Sequence, residues 1–136
     1  MTRLESNKVL ISKKPESVFE FLSDFNNIGL LMPDQVEGYT TDGETSSFTI
    51  KGMAKLGLTY ESKTAFSEVV MKSFGKVPFD FKLICSIEKA TDTSTDLILF
   101  LDAELNPFLK MMAEKPLTNF LNLLVNKYKE ISELSV

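Results

Sequence analysis

The sequence predicts an α+β fold: a curved antiparallel sheet of seven strands wrapped around a long C-terminal helix, with two short helices after the first strand. Three observations lead there. Residues 36–105 alternate apolar and polar side chains almost throughout, the period of strands with one covered face. Turn chemistry punctuates that region at Asp42-Gly43, Gly75–Pro78 and the polar run 91–95. The last segment, from Pro107, switches to helical spacing and is the one element large enough to cover the sheet.

Each element can be justified in order. Leu4–Ile11 reads as the first strand. Pro15 suits a first helical turn, and Val18, Phe19 and Leu22 recur at helical spacing. Asn26, Asn27 and Gly29 weaken that helix, and Pro33 ends the second helical stretch. Two short helices are therefore expected, Pro15–Asp24 and Asn26–Met32. Strands are expected at Val36–Thr41, Thr45–Lys51, Lys55–Ser67, Val69–Phe74, Phe79–Lys89 and Asp96–Leu105. A long meander with one solvated face is antiparallel. No internal repeat, low-complexity tract or linker divides the chain, so residues 1–136 are expected to form a single domain.

In the last helix, Leu117, Phe120, Leu121, Leu124, Val125, Tyr128 and Ile131 share one stripe. Before Pro116 the apolar set is Phe108, Leu109, Met112 and Ala113, with Met111 beside it, and this set points elsewhere on a straight helix. Proline lacks an N–H and crowds the carbonyl of residue 112, so a kink or break is expected there. The front half would then bend over one end of the sheet, its methionines forming either a pocket wall or plain core filling.

Composition bounds the chemistry. At 43% hydrophobic residues the chain can bury a core without disulfides or metal. It has no long apolar run, so no integral membrane association is expected. The start lacks the apolar middle of a signal peptide, and the single cysteine forms no internal disulfide, which together favour a cytoplasmic location. The net charge is −4 and Arg3 is the only arginine, so nucleic acid is not an expected partner. Histidine is absent, which removes the commonest general base and zinc ligand. No metal, cofactor or catalytic residue is assigned on sequence grounds.

Three passages carry a resemblance to a known family: KKPESVFEFLSDFNNIGLLMP at 13–33, VEGYTTDGE at 36–44 and LNPFLKMMAEKPLTNFLNLLVNKYKE at 105–130. With the order of elements, they make the whole chain resemble the START-related, polyketide-cyclase-like superfamily (SRPBCC), which has the helix-grip fold. The resemblance implies an apolar cavity between sheet and helix, of the kind that binds lipids, sterols, polyketides or plant hormones. Some members are aromatase/cyclase enzymes and many are carriers or sensors. Their catalytic residues form no shared motif, so none is carried over. The plant allergen branch has a glycine-rich loop where this chain has TTDGETSS with one glycine, so that loop's function is not implied.

A hydrophobic small molecule is thus the expected partner. The expected lining is Phe48 and Ile50, then Leu58, Tyr60 and Ser62, then Phe79, Phe81 and Leu83, then Leu99 and Leu101, with Phe108 and Met112 from the helix. Tyr60, Ser62 and Thr64 share the inward face and could orient a ligand, or could simply bond one another, backbone or water. Asp34, Glu37, Asp102 and Glu104 are the carboxylate candidates for acid–base work, and Tyr39, Tyr60 and Tyr128 the phenols. Asp102 and Glu104 belong on the solvated face, and Cys85 reads as an inert buried thiol. Three functions remain open at this point: a carrier or sensor, a cyclase- or dehydratase-type enzyme, and a protein-interaction module with a closed core. Oligomeric state is not legible.

Overall fold

A computed structural model describes residues 1–134. The chain opens with β1 (Thr2–Glu5) and β2 (Val9–Ile11), followed by α1 (Pro15–Leu22) and α2 (Phe25–Gly29). Then come β3 (Val36–Thr41), β4 (Thr45–Ile50), β5 (Ala54–Thr64), β6 (Glu68–Ser73), β7 (Phe81–Thr91) and β8 (Ser94–Ala103). The last element is α3 (Pro107–Leu134). All strand pairs are antiparallel, in the order β1-β8-β7-β6-β5-β4-β3, with β2 also on β8. The expected α+β architecture is what forms.

The expected first strand is split. Glu5 pairs with Phe100 but Val9 pairs with Leu97, so the first strand carries one extra residue between them. Ser6 makes the break tolerable. Its N–H donates to the Leu99 carbonyl and its Oγ accepts from the Leu99 N–H, both at 2.9 Å. One residue thus satisfies both backbone groups of its neighbour where the ladder is interrupted.

Local chemistry explains the two short helices. Pro15 occupies the first turn of α1, where its missing N–H costs nothing. Asp24 caps α2, its carboxylate accepting from the Asn26 N–H at 2.9 Å. The helices bury Val18, Leu22, Phe25 and Ile28 against the sheet. At the β3–β4 turn Gly43 has φ +96°, and Asp42 accepts from the Glu44 and Thr45 N–H groups.

A second register shift lies inside β5. Tyr60 pairs with Met71, but Ser62 pairs with Val70. Val70 also pairs with Ile84, and Met71 with Leu83, so the two sit on opposite faces. The extra residue therefore moves Ser62 off the inner face that Leu56, Leu58 and Tyr60 occupy. Ser62 is exposed, which corrects its expected place in the lining.

α3 runs unbroken through Pro116. Its buried stripe is Ala113, Leu117, Phe120, Leu121, Leu124, Val125 and Tyr128, one continuous face that crosses the proline. The expected break is absent. Pro116 itself is exposed, on the flank of that stripe. The carbonyl of Met112, also an exposed residue, can turn to water in place of the lost bond. The apolar residues of the first turns do not fold inward: Phe108, Met111 and Met112 are 64%, 78% and 63% exposed. Among the described residues no helix is long and apolar enough to cross a membrane.

Candidate functional site

The space between the sheet and α3 is nearly filled. At its centre lie two voids of about 20 Å³ each, with no polar surface on their walls. They adjoin: Phe48, Leu58, Leu83 and Phe120 wall both. The first void is roofed by Leu22, Ile28, Leu31 and Met32 from the two short helices and the loop after them. The second extends toward Phe79, Phe81, Leu101 and Leu117. Phe48 and Phe120 stack at 5.8 Å between ring centroids where the voids meet. Each void is about the size of one water, and the apolar walls make it a dry space.

The structure distributes the expected lining residues unevenly. Phe48, Leu58 and Leu83 face both voids, Leu99 faces the first, and Phe79, Phe81 and Leu101 face the second. Ile50 is buried in the same core but on neither wall. Phe108 and Met112 stand in solvent, not on either wall. Phe120, Leu124 and Val125 of α3 contribute where those two were expected. Their helical stripe was the signal for burial, but nothing in their spacing marked Phe120 as the residue between two spaces.

The tyrosines are committed elsewhere. The Tyr60 hydroxyl donates to the Leu22 carbonyl at 2.7 Å, and its ring stacks on Phe25 at 4.2 Å. The Tyr39 hydroxyl donates to the Phe25 carbonyl at 2.7 Å. Lys63 donates to the Ser23 carbonyl at 3.0 Å and lies over the Tyr60 ring. Tyr60 and Lys63 thus satisfy carbonyls that the end of α1 leaves open, and Tyr39 adds a bond to a carbonyl in the first turn of α2. Burial raises the Tyr60 phenol well above its ordinary value, and Tyr128, stacked on Phe21, is raised for the same reason. Burial also raises Tyr39, with the nearby Ser46 hydroxyl offsetting part of the effect. Ser46 Oγ itself meets no partner at hydrogen-bonding geometry.

No carboxylate reaches the voids. Cys85 is on the wall of the first, fully buried, and burial pushes its thiol up to about 12, so it stays neutral there. Asp102 pairs through both carboxylate oxygens with Arg3, at 2.7 and 2.9 Å on the outer face. Among the described residues no group of three or more His, Cys, Asp or Glu is placed to hold a metal.

No family model matches the sequence, and no curated protein matches it. Solved structures do. The chain is similar to a protein XoxI from Bacillus cereus, with TM-score 0.78 and 10% identity over 98% of this chain and 97% of that one. It is similar to a START superfamily protein from Mycobacterium smegmatis, with TM-score 0.77 and 16% identity over 98% and 99%. It is also similar to norcoclaurine synthase from Thalictrum flavum, solved with dopamine and hydroxybenzaldehyde, with TM-score 0.75 and 9% identity over 99% and 88%. At such identities the likeness speaks for architecture, and it agrees with the observed strand order and helix placement. The chain has the START/SRPBCC-related helix-grip fold.

Proposed function

We propose that this protein binds a hydrophobic small molecule, such as a lipid or polyketide, in the space between the sheet and α3, and acts as a carrier or sensor. One observation carries the reading: the two dry voids meet at Phe48 and Phe120, so moving these two rings would merge them into one apolar space. Ligand pockets usually measure roughly 300–1,000 Å³. The voids fall far short, so binding must be coupled to rearrangement of side chains. Norcoclaurine synthase, which shares the fold, has been solved with two small aromatic molecules bound. The Tyr60 and Tyr39 hydroxyls already donate to backbone carbonyls, and no tyrosine walls either void, which favours binding over acid–base catalysis.

Two measurements test this. Native mass spectrometry of freshly purified protein, followed by organic extraction, detects a resident ligand. Titration with N-phenyl-1-naphthylamine, a neutral fluorescent probe, reads the capacity of the space. Saturable uptake is expected, and Phe120→Ala should increase it. A bare mass with no uptake by either the native chain or Phe120→Ala overturns the proposal and favours a closed core serving protein interaction.

A further inference from the structure

The inner face of the sheet is not apolar throughout. Ser46 precedes Phe48 by two residues on β4, so its side chain points to the same inner face, opposite Leu58 of β5. It is 3% exposed, and its hydroxyl is the one buried side-chain N or O atom without a hydrogen-bond partner among the described residues. Native cores rarely leave such a group unpaired, and each case calls for a reason.

The Tyr39 phenol lies beside Ser46. Gly29 lets the Tyr39 ring press against α2, since a Cβ there would sit 2.8 Å from the ring. The Tyr39 hydroxyl spends its proton on the Phe25 carbonyl, which leaves its oxygen able to accept. One uncommitted hydroxyl and one accepting oxygen therefore share this corner of the core. Phe48 screens it from the voids. Its ring stacks on Tyr39 at 6.0 Å and on Phe120 at 5.8 Å. Phe48 and Leu58, the neighbours of Ser46 along and across the strands, wall both voids. Moving the Phe48 ring, which merging the voids requires, also opens the merged space toward Ser46.

We infer that the ligand, on the reading proposed above, is an apolar molecule with one neutral oxygen-bearing end (a hydroxyl, phenol or ketone) and that this end is seated at Ser46. The Ser46 hydroxyl donates to that oxygen, and a ligand hydroxyl in turn donates to the Tyr39 oxygen. The rest of the molecule lies along the apolar walls. A carboxylate does not suit the seat. A charge buried there without a counter-ion is costly. Asp24 is close enough to help raise the Tyr39 and Tyr60 phenols, and so repels an anion. Lys63, the cation over the Tyr60 ring, is exposed and committed to the Ser23 carbonyl.

Three probes of similar shape test this: 4-hydroxybiphenyl, 4-methylbiphenyl and biphenyl-4-carboxylate. Each is titrated by displacement of N-phenyl-1-naphthylamine from the native chain, Ser46→Ala and Phe120→Ala. Ser46→Ala should weaken 4-hydroxybiphenyl about fivefold and 4-methylbiphenyl less than about twofold. On the native chain the carboxylate should bind at least about tenfold more weakly than the phenol. Calorimetry should find Ser46→Ala melting at or above the native temperature, because the deleted hydroxyl makes no bond in the closed core. The inference is overturned if Ser46→Ala leaves 4-hydroxybiphenyl unaffected, if it weakens the methyl analogue equally, or if the carboxylate binds as tightly as the phenol. A fall in Tm of more than about 2 °C also overturns it, since the hydroxyl would then already serve the closed core. In each of these cases binding in the gripped space still stands. Failure of every probe on every protein, Phe120→Ala included, refutes that binding and the Ser46 seat with it.

Discussion

Replacing Tyr60 by phenylalanine distinguishes a structural phenol from a functional one. The substitution keeps the ring, its stack on Phe25 and its contact with Lys63, and removes only the hydroxyl that donates to the Leu22 carbonyl. A neutral hydrogen bond of this kind contributes about 1 kcal/mol net, and leaving the half-buried carbonyl unpaired adds a fraction of its desolvation cost. The expected loss is about 1–2 kcal/mol. With an unfolding entropy of roughly 2.1 cal/mol/K per residue, the 136 residues give about 0.29 kcal/mol/K, so Tm should drop by about 3–7 °C. Tyr60→Ala, which also deletes the stacked ring, should cost about 3–5 kcal/mol. Calorimetry and urea titration read the stability, and naphthylamine uptake reads the binding. The reasoning fails if Tyr60→Phe melts within a degree of the native chain. It fails equally if uptake is lost while Tm holds, because the hydroxyl would then serve a ligand and not the helix end.

Three further outcomes are expected. Gly57→Ala forces a Cβ against the Phe74 carbonyl oxygen and should lower stability by about 2 kcal/mol or more; an unchanged urea midpoint contradicts the close approach. Pro116→Ala restores the N–H that bonds the Met112 carbonyl and should stabilise the chain by about 1–3 kcal/mol, since interior proline costs about 3; a loss of stability would show that the helix needs the proline's geometry to fit the sheet. Arg3 holds the Asp102 carboxyl below its ordinary value through their paired hydrogen bonds. Because the folded value lies below the unfolded one near 3.9, this pair stabilises the fold at neutral pH, and its contribution fades as pH falls through the lowered folded value. Asp102→Asn should remove that part of the acid dependence, at a neutral-pH cost below about 1 kcal/mol because Arg3 is more than half exposed; acid titrations of the two proteins that superimpose would contradict it.

The sheet was legible because alternation survives wherever one face is covered. Phe79, Phe81, Leu83, Cys85 and Ile87 alternate without interruption and are all buried. A register shift is harder to see. Along 56–66 the same parity runs Leu56, Leu58, Tyr60, Ser62, Thr64, Phe66, so the sequence looks continuous across the bulge that ends the inner face at Tyr60. The two-for-one pairing depends on where β6 meets β5, which is tertiary information. The same holds for the front of α3. Phe108, Met111 and Met112 are apolar, yet burial needs a facing surface, and the gripped space ends at Ala113. Helical spacing shows which residues share a stripe, not how far along the helix a partner extends. Of the residues that wall the voids, the expected lining therefore included Phe48, Leu58, Phe79, Phe81, Leu83, Leu99 and Leu101 and none from α3, whose walls begin at Leu117.

A nearly closed core places a condition on what it could hold. Phe48 and Phe120 are both almost fully buried, and displacing each from the interior costs roughly 1.5–3 kcal/mol, or about 3–6 for the pair. A ligand repays this by burying its own surface at about 25 cal/mol per Å². One ring the size of benzene, with roughly 240 Å² to hide, returns about 6 kcal/mol, which the displacement and the entropy of association consume. A ligand hiding about 400 Å² returns about 10 kcal/mol, which leaves several kcal/mol against the entropy of association. Affinity should therefore rise with apolar size above a threshold, and not grade smoothly from the smallest probes upward. Phe120→Ala removes part of the cost in advance, so it should admit the small probes that the native core rejects. A series of n-alkyl alcohols measured on both proteins reads the threshold directly. If the native chain takes up the short members as readily as Phe120→Ala does, then Phe120 is not the residue that keeps the two voids apart.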